Sequence, residues 1–407
     1  MKQGWEIKKL GDVCTIKGRI GYRGYTKQDL VEKGEGAISL SPSNIFDNKF
    51  ISDECTYISW FKYEESPEIM IFNGDILFVK TGSTYGKVAL VEDLPEKATI
   101  NPQFVVLKEL KCLNKFLYYS MTTGQFKEQV EGIIGGAATP TLSQTNLAEL
   151  KIPLPPLPEQ QRIVAILDEA FATIAKAKAN AEQNLKNAKE LFESYLQGVF
   201  KNKGEGWEEK TLKELTTHLG DGLHGTPKYT IEGDYYFING NNLTDGVIEF
   251  KESTKRVSID EYNKHKKNLT NRTVLVSING TLGNVAFYNG ENIILGKSAC
   301  YFNLKESVDK NFIRYVLSSP YFLNYAHKEA TGATIKNVSL KTMREFLVPI
   351  PSIKEQQTIV QKLDALSAET KKLEAIYQQK IDDLEELKKS VLQKAFNGEL
   401  KTAKALV

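Results

Sequence analysis

Apolar side chains return in alternating steps of three and four from Val164 through Leu167, Phe171, Ile174, Ala181, Leu185, Ala188, Phe192 and Tyr195 to Val199, and Lys178 holds the remaining stripe position. A stripe of that period marks a coiled-coil helix. The residues between are mostly Ala, Leu, Glu, Lys and Gln, all good helix formers. The pattern comes back through Ile359, Leu363, Leu366, Thr370, Leu373, Tyr377, Lys380, Leu384, Leu387 and Val391. From Glu159 to Phe200 it covers 42 residues, which makes about 60 Å of helix at a rise of ~1.5 Å per residue. Alone in water so narrow a stripe is unstable, so the two helices are expected to bury their stripes against each other.

Ahead of each helix the period changes. Short apolar runs such as AISL from Ala37, DILFV from Asp75 and FVVL from Phe104 alternate with clusters of Gly, Asn and Asp, as strands joined by turns do. A helical stretch from Asn114 to Val130 interrupts them, which excludes a pure sandwich and predicts mixed α/β domains.

The chain repeats itself. IPLPPLPEQQRIV, beginning at Ile152, returns as VPIPSIKEQQTIV, beginning at Val348, 196 positions later and with seven of thirteen residues identical. GWEIKKLGDV at Gly4 matches GWEEKTLKEL at Gly206, and GDILFVKTGSTYGKVAL at Gly74 matches RTVLVSINGTLGNVAF at Arg272. GGAATPTLSQTNLAEL matches TGATIKNVSLKTMREF, and LFESYLQGVF at Leu191 matches LKKSVLQKAF at Leu387. Such self-similarity means two copies of one plan. The expected fold class is α+β: two pseudo-repeated mixed α/β domains separated by two long helices that form an antiparallel coiled coil. The expected boundaries are 1–151 for the first domain, 152–203 for a proline hinge and first helix, 204–347 for the second domain, and 348–407 for the second hinge, helix and tail. Because 196 is 28 heptads, both hinges feed their helices in the same phase. Pro158 ends the extended hinge, and Glu159 and Glu355 stand where a carboxylate favours the positive end of a helix. The short linker Lys201–Gly206 favours antiparallel packing, with a globular head at each end of a rod.

Composition narrows the function. A chain of 407 residues with 41% apolar content can bury two or three cores of ordinary size. No apolar run reaches the ~20 residues needed to cross a bilayer, and the start MKQGWEIKKLGDV lacks the apolar stretch of a secretory signal, so a cytoplasmic location is expected. Cys14, Cys55, Cys112 and Cys300 lie far apart, which suits a reducing compartment and argues against a zinc ribbon or disulfide scaffold. With 53 basic and 51 acidic residues, overall charge neither proposes nor excludes a polyanionic partner.

The order of these signals, each occurring twice, is specific: a GW opening, GDIL or its counterpart with a Gly-Ser or Gly-Thr turn, a GA-containing segment, then P-x-P, EQ and a long helix. Over essentially its whole length the chain resembles the DNA sequence-specificity subunit of Type I restriction-modification systems, and VLQKAFNGEL at its C-terminal end is similar to that family's ending. The resemblance implies two target-recognition domains, each reading one half of a split site on double-stranded DNA. It implies helices that space these domains and dock methyltransferase subunits, with restriction subunits as further partners. Adenine N6 methylation and ATP-driven cleavage would then belong to the partners, as would S-adenosylmethionine, ATP and Mg, and this chain would bind no cofactor.

Catalytic motifs of the chain's own are weak. NPQF from Asn101 has Gln103 where an amino-methyltransferase motif needs its second proline, and reads better as a turn into the strand FVVL. GSTYGKV from Gly82 has neither the spacing of a phosphate loop nor a Ser or Thr after its lysine. His218, His224, His265 and His327 show no metal-ligand spacing, and no serine sits in a nucleophile elbow. The chain is expected not to be an enzyme. A protein-only coiled-coil scaffold and a free-standing nuclease or methyltransferase are the competing readings.

Local clusters are the candidate DNA contacts, because residues 1–150 hold 17 basic and 19 acidic residues. KGRIGYRGYTK offers Lys17, Arg19, Arg23 and Lys27 with Tyr22 and Tyr25, suited to guanine edges, phosphates, sugars or a thymine methyl. HLGDGLHGTPKY from His218, similar to a loop of the family's recognition domains, offers His224, Thr226 and Lys228. Lys255, Arg256, Lys264, Lys266, Lys267 and Arg272 would contact phosphates. The glycine turns add Lys80, Thr81, Ser83 and Lys87 in the first half and Asn279 and Thr281 in the second. At the hinges Pro153, Pro155, Glu159, Gln160, Pro349, Pro351, Glu355 and Gln356 are the expected docking residues, twice over, which predicts two methyltransferase subunits per chain.

Overall fold

The computed structural model describes residues 3–134, 141–332 and 334–400. Gly135–Pro140, part of the repeated GA-containing segment, and residues 401–407 of the expected tail lie outside them. The chain divides into two compact units, one of residues 1–180 with 380–407, the other of residues 181–379.

In the first unit, strands Val88–Leu90, Ile76–Val79, Phe104–Lys108 and Thr15–Lys17 form one sheet in that order. Leu30–Val31, Thr56–Ser59, Gly36–Leu40, Ala98–Ile100 and Met70–Ile71 form another, in which Ala98–Ile100 runs parallel to Gly36–Leu40. The period of two along a strand explains why these segments read as continuous apolar runs. Leu77, Val79, Phe104 and Val106 enter one core with Ile38 and Leu40, while Ile76, Phe78, Val105 and Leu107 enter a second core with Leu117 and Phe126. Both faces of the two central strands are therefore buried. The NPQF segment is a turn: the Asn101 side-chain oxygen accepts from the Gln103 backbone N–H at 2.9 Å, just before strand Phe104–Lys108.

The second unit repeats the plan. Thr216–Asp221, Ala299–Leu304, Thr273–Ser277 and Val285–Phe287 form one sheet, and Tyr229–Thr230, Arg256–Val257, Tyr235–Ile238 and Ile293–Leu295 the other. Ile293–Leu295 again runs parallel to its neighbour Tyr235–Ile238. Val274 and Val276 face one core and Leu275 the other.

Each proline hinge is a paired strand. Lys151–Leu154 runs antiparallel to Glu6–Lys9 with Pro153 opposite Ile7, and Leu347–Ile350 runs antiparallel to Glu208–Thr211 with Pro349 opposite Glu209. These are two-stranded ribbons, where a residue without an N–H is tolerated. The repeated GW openings and repeated hinges are thus one structural element, present twice.

Helices Leu157–Lys201 and Ile353–Phe396 follow the hinges. In the first unit, Ile163, Val164 and Leu167 share a core with Val391, Ala395, Phe396 and Leu400, and Lys178 meets Glu385 at 2.5 Å. In the second, Leu196 and Phe200 share a core with Val360 and Leu363. The start of each helix lies beside the end of the other, so the helices pack antiparallel, as the sequence led us to expect. Each pair also closes a globular core. Phe396 stacks at 5.1 Å on Phe116, and Phe200 meets Phe312 at 5.6 Å, with Trp207 on the same ring at 6.2 Å. The Tyr119 hydroxyl donates to Asp168 at 2.5 Å, and Tyr315 donates to Asp364 in the same way. Burial first, and the carboxylate second, hold both phenols protonated far above their ordinary range.

The stripe departs from the sequence pattern in places. Tyr195, Leu373 and Leu387 are exposed, while Leu196, Phe200, Val360 and Phe396 are buried instead. Near their ends the helices face sheets and short helices as well as each other, and a straight helix drifts by ~20° per heptad from a strict seven-residue repeat. Thr370 keeps its stripe position, 2% exposed, by donating its hydroxyl to the Leu366 carbonyl at 3.0 Å.

Candidate nucleic-acid interface

In the first unit the stretch Lys17–Lys27 leaves the end of strand Thr15–Lys17 and folds into two short 3-10 turns, Gly21–Arg23 and Lys27–Asp29, the second capped by Thr26. Arg19 points inward and is 7% exposed. Its Nε donates to the Ile100 carbonyl at 3.2 Å, its Nη2 to Thr99 Oγ1 at 3.2 Å and its Nη1 to the Arg23 carbonyl at 3.3 Å, and the guanidinium lies 5.2 Å from the Tyr25 ring centre. Burial pulls its pKa down, opposed by Tyr25, Glu65 and Glu68. Arg23 pairs with Glu68 at 3.4 Å, and the Tyr25 hydroxyl bonds Ser39 Oγ at 2.7 Å. These three residues brace the loop, and Lys17 and Lys27 are the exposed cations on it. The Tyr22 side chain lies outside the described residues.

The Arg23–Glu68 pair ties this loop to the 3-10 turn Pro67–Ile69, which follows the short helix Trp60–Glu64 that Ser59 caps. Trp60 is 40% and Phe61 72% exposed, while Tyr63 is buried. The sequence reading missed this helix. Its signal was a serine cap followed by two adjacent aromatics, of which a short helix on a sheet can bury at most one.

The corresponding face of the second unit carries more positive charge. Gly222 lets the loop lie flat on a strand end, since a Cβ there would fall 2.1 Å from the Leu295 carbonyl oxygen. Beyond it His224, Thr226 and Lys228 are exposed, with His224 Nε2 at 2.7 Å from Asp221. The Lys228 N–H donates to Glu261 at 3.4 Å, tying the loop to helix Ile259–His265, and Tyr235 packs on Tyr262 at 4.5 Å. On or just after that helix Lys264 and Lys266 are exposed and Lys267 half-buried. Lys255 and Arg256 are exposed nearby; Arg256 lies 5.2 Å from the Tyr236 ring and donates to the Gly233 carbonyl at 3.1 Å. The structure thus brings His224, Thr226 and Lys228 together with the lysines of the second cluster. Arg272 does not join them: its guanidinium donates to the carbonyls of Leu304, Lys305 and Val308.

The glycine turns are latches. Gly82 at φ +100° and Gly280 at φ +78° adopt a left-handed backbone that other residues avoid. Beside them Thr81 bridges to Thr141 and Asn279 to Asn337, with an Asn279 to Asn337 side-chain bond of 3.0 Å. Lys80 is half-buried and its carbonyl accepts from Leu142, as Ile278 accepts from Val338, both at 2.8 Å. Lys87 donates to the Ile45 carbonyl at 3.3 Å, leaving Ser83 and Thr281 as the exposed side chains of the two turns.

The hinge residues are largely internal. Pro155, Gln160, Pro349, Pro351 and Gln356 are buried, and Pro153, Glu159 and Glu355 are half-buried. Gln160 accepts from the Leu113 N–H at 2.9 Å and donates to the Pro155 carbonyl at 2.8 Å. Gln356 repeats this with Asp309 at 2.8 Å and Pro351 at 2.9 Å. Glu159 pairs with Arg162 at 2.7 Å, and Glu355 accepts from Trp207 at 2.8 Å. Both glutamines weld their helix to the domain before it. Among the described residues no cluster of His, Cys, Asp or Glu is arranged to hold a metal ion, and no helix is long and apolar enough to cross a membrane.

Comparison with known proteins finds the family model described as the Type I restriction modification DNA specificity domain at residues 2–187 and again at 204–383. The putative type I restriction enzyme MjaX specificity subunit of Methanocaldococcus jannaschii is 26% identical, over 98% of this chain and 94% of its own. The EcoKI specificity subunit of Escherichia coli is 23% identical, over 98% and 90%. Among solved structures, the HsdS subunit from Thermoanaerobacter tengcongensis superposes with a TM-score of 0.63 at 21% identity, over 98% of both chains. A chain from a structure of type I R-M complex assembly and conformational transition gives 0.76 at 21% identity, over 98% of this chain and 99% of that one. At such identities these two likenesses are of fold.

Proposed function

Because this chain belongs to the Type I restriction-modification DNA specificity family, we propose that it is the non-catalytic subunit that gives such a complex its target sequence, each unit reading one half of a bipartite, asymmetric site. The observation that supports this most is the contrast between sameness and difference in the two halves. The sheets, latches, hinges and helix contacts are repeated, whereas the front faces differ: Lys17, Lys27 and an aromatic pair on one, and His224, Thr226, Lys228 and a lysine-rich helix on the other. Alike scaffolds with unlike faces suit two readers of unlike sequences.

Phosphate contacts in this reading come from Lys17, Lys27, Lys255, Arg256, Lys264, Lys266 and Lys267, which position the duplex. His224, Thr226 and Lys228 are the side chains placed for base edges, with Ser83 and Thr281 at the turns. Arg19, Tyr25 and Arg272 hold the loops in shape. The long helices set the separation of the half-sites and dock two methyltransferase subunits, which carry S-adenosylmethionine and methylate adenine at N6; restriction subunits bring ATP, Mg and cleavage. Docking at the hinges falls to what the strands leave uncovered, such as Leu157 at 54% and Ile353 at 40% exposure, with Ile7 at 50% beside Pro153.

The test is a mobility shift and footprint with methyltransferase subunits present. Two protected blocks on one specific duplex, with only one block lost in a His224→Ala, Thr226→Ala, Lys228→Ala variant, is the expected outcome. A chain that binds the methyltransferase subunits and no duplex would be a protein scaffold and would refute the proposal.

A further inference from the structure

Each unit holds a cavity where its sheets and short helices meet the long helices, and the two cavities occupy corresponding positions. Asp47, Tyr119 and Asp168 in the first answer to Asp245, Tyr315 and Asp364 in the second. Their charges do not correspond. Six lysines line the first cavity with three carboxylates. Three of the lysines are matched: Lys115 with Asp168 at 2.9 Å, Lys388 with Asp47 at 3.1 Å and Lys178 with Glu385 at 2.5 Å. Lys49, Lys127 and Lys389 remain, and among the described residues no ion pair engages them. The corresponding residues of the second cavity region are Val247, Leu323 and Glu193, and Glu374 stands where the first has Lys178. Set against Lys189, Arg314 and Lys371, the four carboxylates Glu193, Asp245, Asp364 and Glu374 leave the second cavity with one net negative charge, where the first has three net positive ones.

The first cavity measures about 510 Å³, within the ~300–1,000 Å³ of small-molecule sites. Its wall also carries aromatic rings, Phe171 edge-on to Tyr119 at 5.5 Å and Tyr118 beside Tyr119 at 5.1 Å. Lysines that exceed their carboxylates around such a wall suit a ligand with a flat apolar part and a multiply charged anionic part.

We propose that this cavity binds a phosphate-bearing small molecule of nucleotide size, and that its counterpart in the second unit does not. The nucleotide is held by charge at Lys49, Lys127 and Lys389 and by ring contact at the half-buried Phe171. No bond is made or broken.

The experiment is calorimetric titration of the full chain, without partner subunits, with magnesium-free ATP, pyrophosphate and adenosine. One ATP per chain is expected, with pyrophosphate weaker and adenosine weaker still. The triple variant Lys49→Gln, Lys127→Gln, Lys389→Gln should lose about tenfold or more in affinity for ATP, a loss of roughly 1.4 kcal/mol, with its melting temperature unchanged. Two ATP per chain, equal binding of ATP and adenosine, an unaltered triple variant, or no ATP bound at millimolar concentration would each overturn the proposal. The duplex shift described above is measured separately, so failure of one does not imitate failure of the other.

Discussion

Phe396 sits at the end of the last helix, yet it completes the core of the domain that begins the chain. Its ring is 5% exposed, stacks on Phe116 at 5.1 Å, and shares its cluster with Trp5, Ile163 and Leu167, all in the first unit. Truncating a buried Phe to Ala costs about 3–5 kcal/mol, of which an aromatic pair accounts for ~0.5–1.5. A groove walled by Trp5, Pro153 and Phe396 itself opens beside the ring, so part of the void can fill with water, and the lower end, about 3 kcal/mol, is expected. That is roughly a hundredfold in an opening equilibrium, within a total stability of ~5–15 kcal/mol for a domain. Hydrogen exchange read by mass spectrometry should show amides of Phe104–Lys108 exchanging about a hundred times faster in Phe396→Ala, with Ala299–Leu304 unchanged. Phe200→Ala should do the reverse, since Phe200 packs on Phe312 in the second unit. Acceleration of both strands alike by either variant, or less than threefold in the expected one, would refute the account of which helix end closes which domain.

Other outcomes follow from the same contacts. Lys264→Gln with Lys266→Gln should weaken duplex binding uniformly across sequences and lower the salt slope by about 0.9 per lost phosphate contact; an altered sequence preference with an unchanged slope would move these lysines to base contacts. Arg19→Lys should lower the urea midpoint of the first unit, equivalent to about 2 kcal/mol for lost charge-assisted bonds, while folded protein keeps its DNA preference; a changed preference at full stability would show direct readout by Arg19. Gln356→Ala removes buried bonds to Asp309 and Pro351 and should cost the second unit about 1–3 kcal/mol, checked by urea unfolding. Tyr119 and Tyr315 have pKa values raised by burial and by their aspartates. A group whose folded pKa is raised keeps its stabilising contribution below the unfolded value, about 10 for tyrosine, and loses it as pH climbs from there. The double variant Tyr119→Phe, Tyr315→Phe should therefore flatten the loss of stability between about pH 10 and 11; urea midpoints falling in parallel with wild type would contradict this.

Local pattern made much of the fold legible. The three-four stripe, the change of period at the hinge and the repeats at an offset of 196 residues are properties of neighbouring residues and of self-comparison. What escaped depended on distant partners. Pro153 looked like part of an extended leash because its partner strand, Glu6–Lys9, lies near the start of the chain. Arg19 and Arg272 resembled nucleic-acid contacts as isolated cations, but carbonyls at Ile100 and at Leu304, Lys305 and Val308 accept from them. Gln160 and Gln356 stood out as repeated and polar, which suited a partner surface, and it took the fold to show that each caps a bond within its own unit. On the second front face, by contrast, Lys228, Lys255, Lys264 and Lys266 stayed where charge alone would put them, in solvent, and Lys267 is half-buried.

The claim that two like-built units each read their own half of a DNA site is tested most directly by mapping N6-methyladenine with long reads in cells that carry this chain and its methyltransferase. The account predicts a motif of two defined blocks separated by unspecified bases, and a change in one block only when the loop from Asp221 to Asp234 is replaced. A single contiguous motif, or both blocks altered by that one replacement, would contradict it.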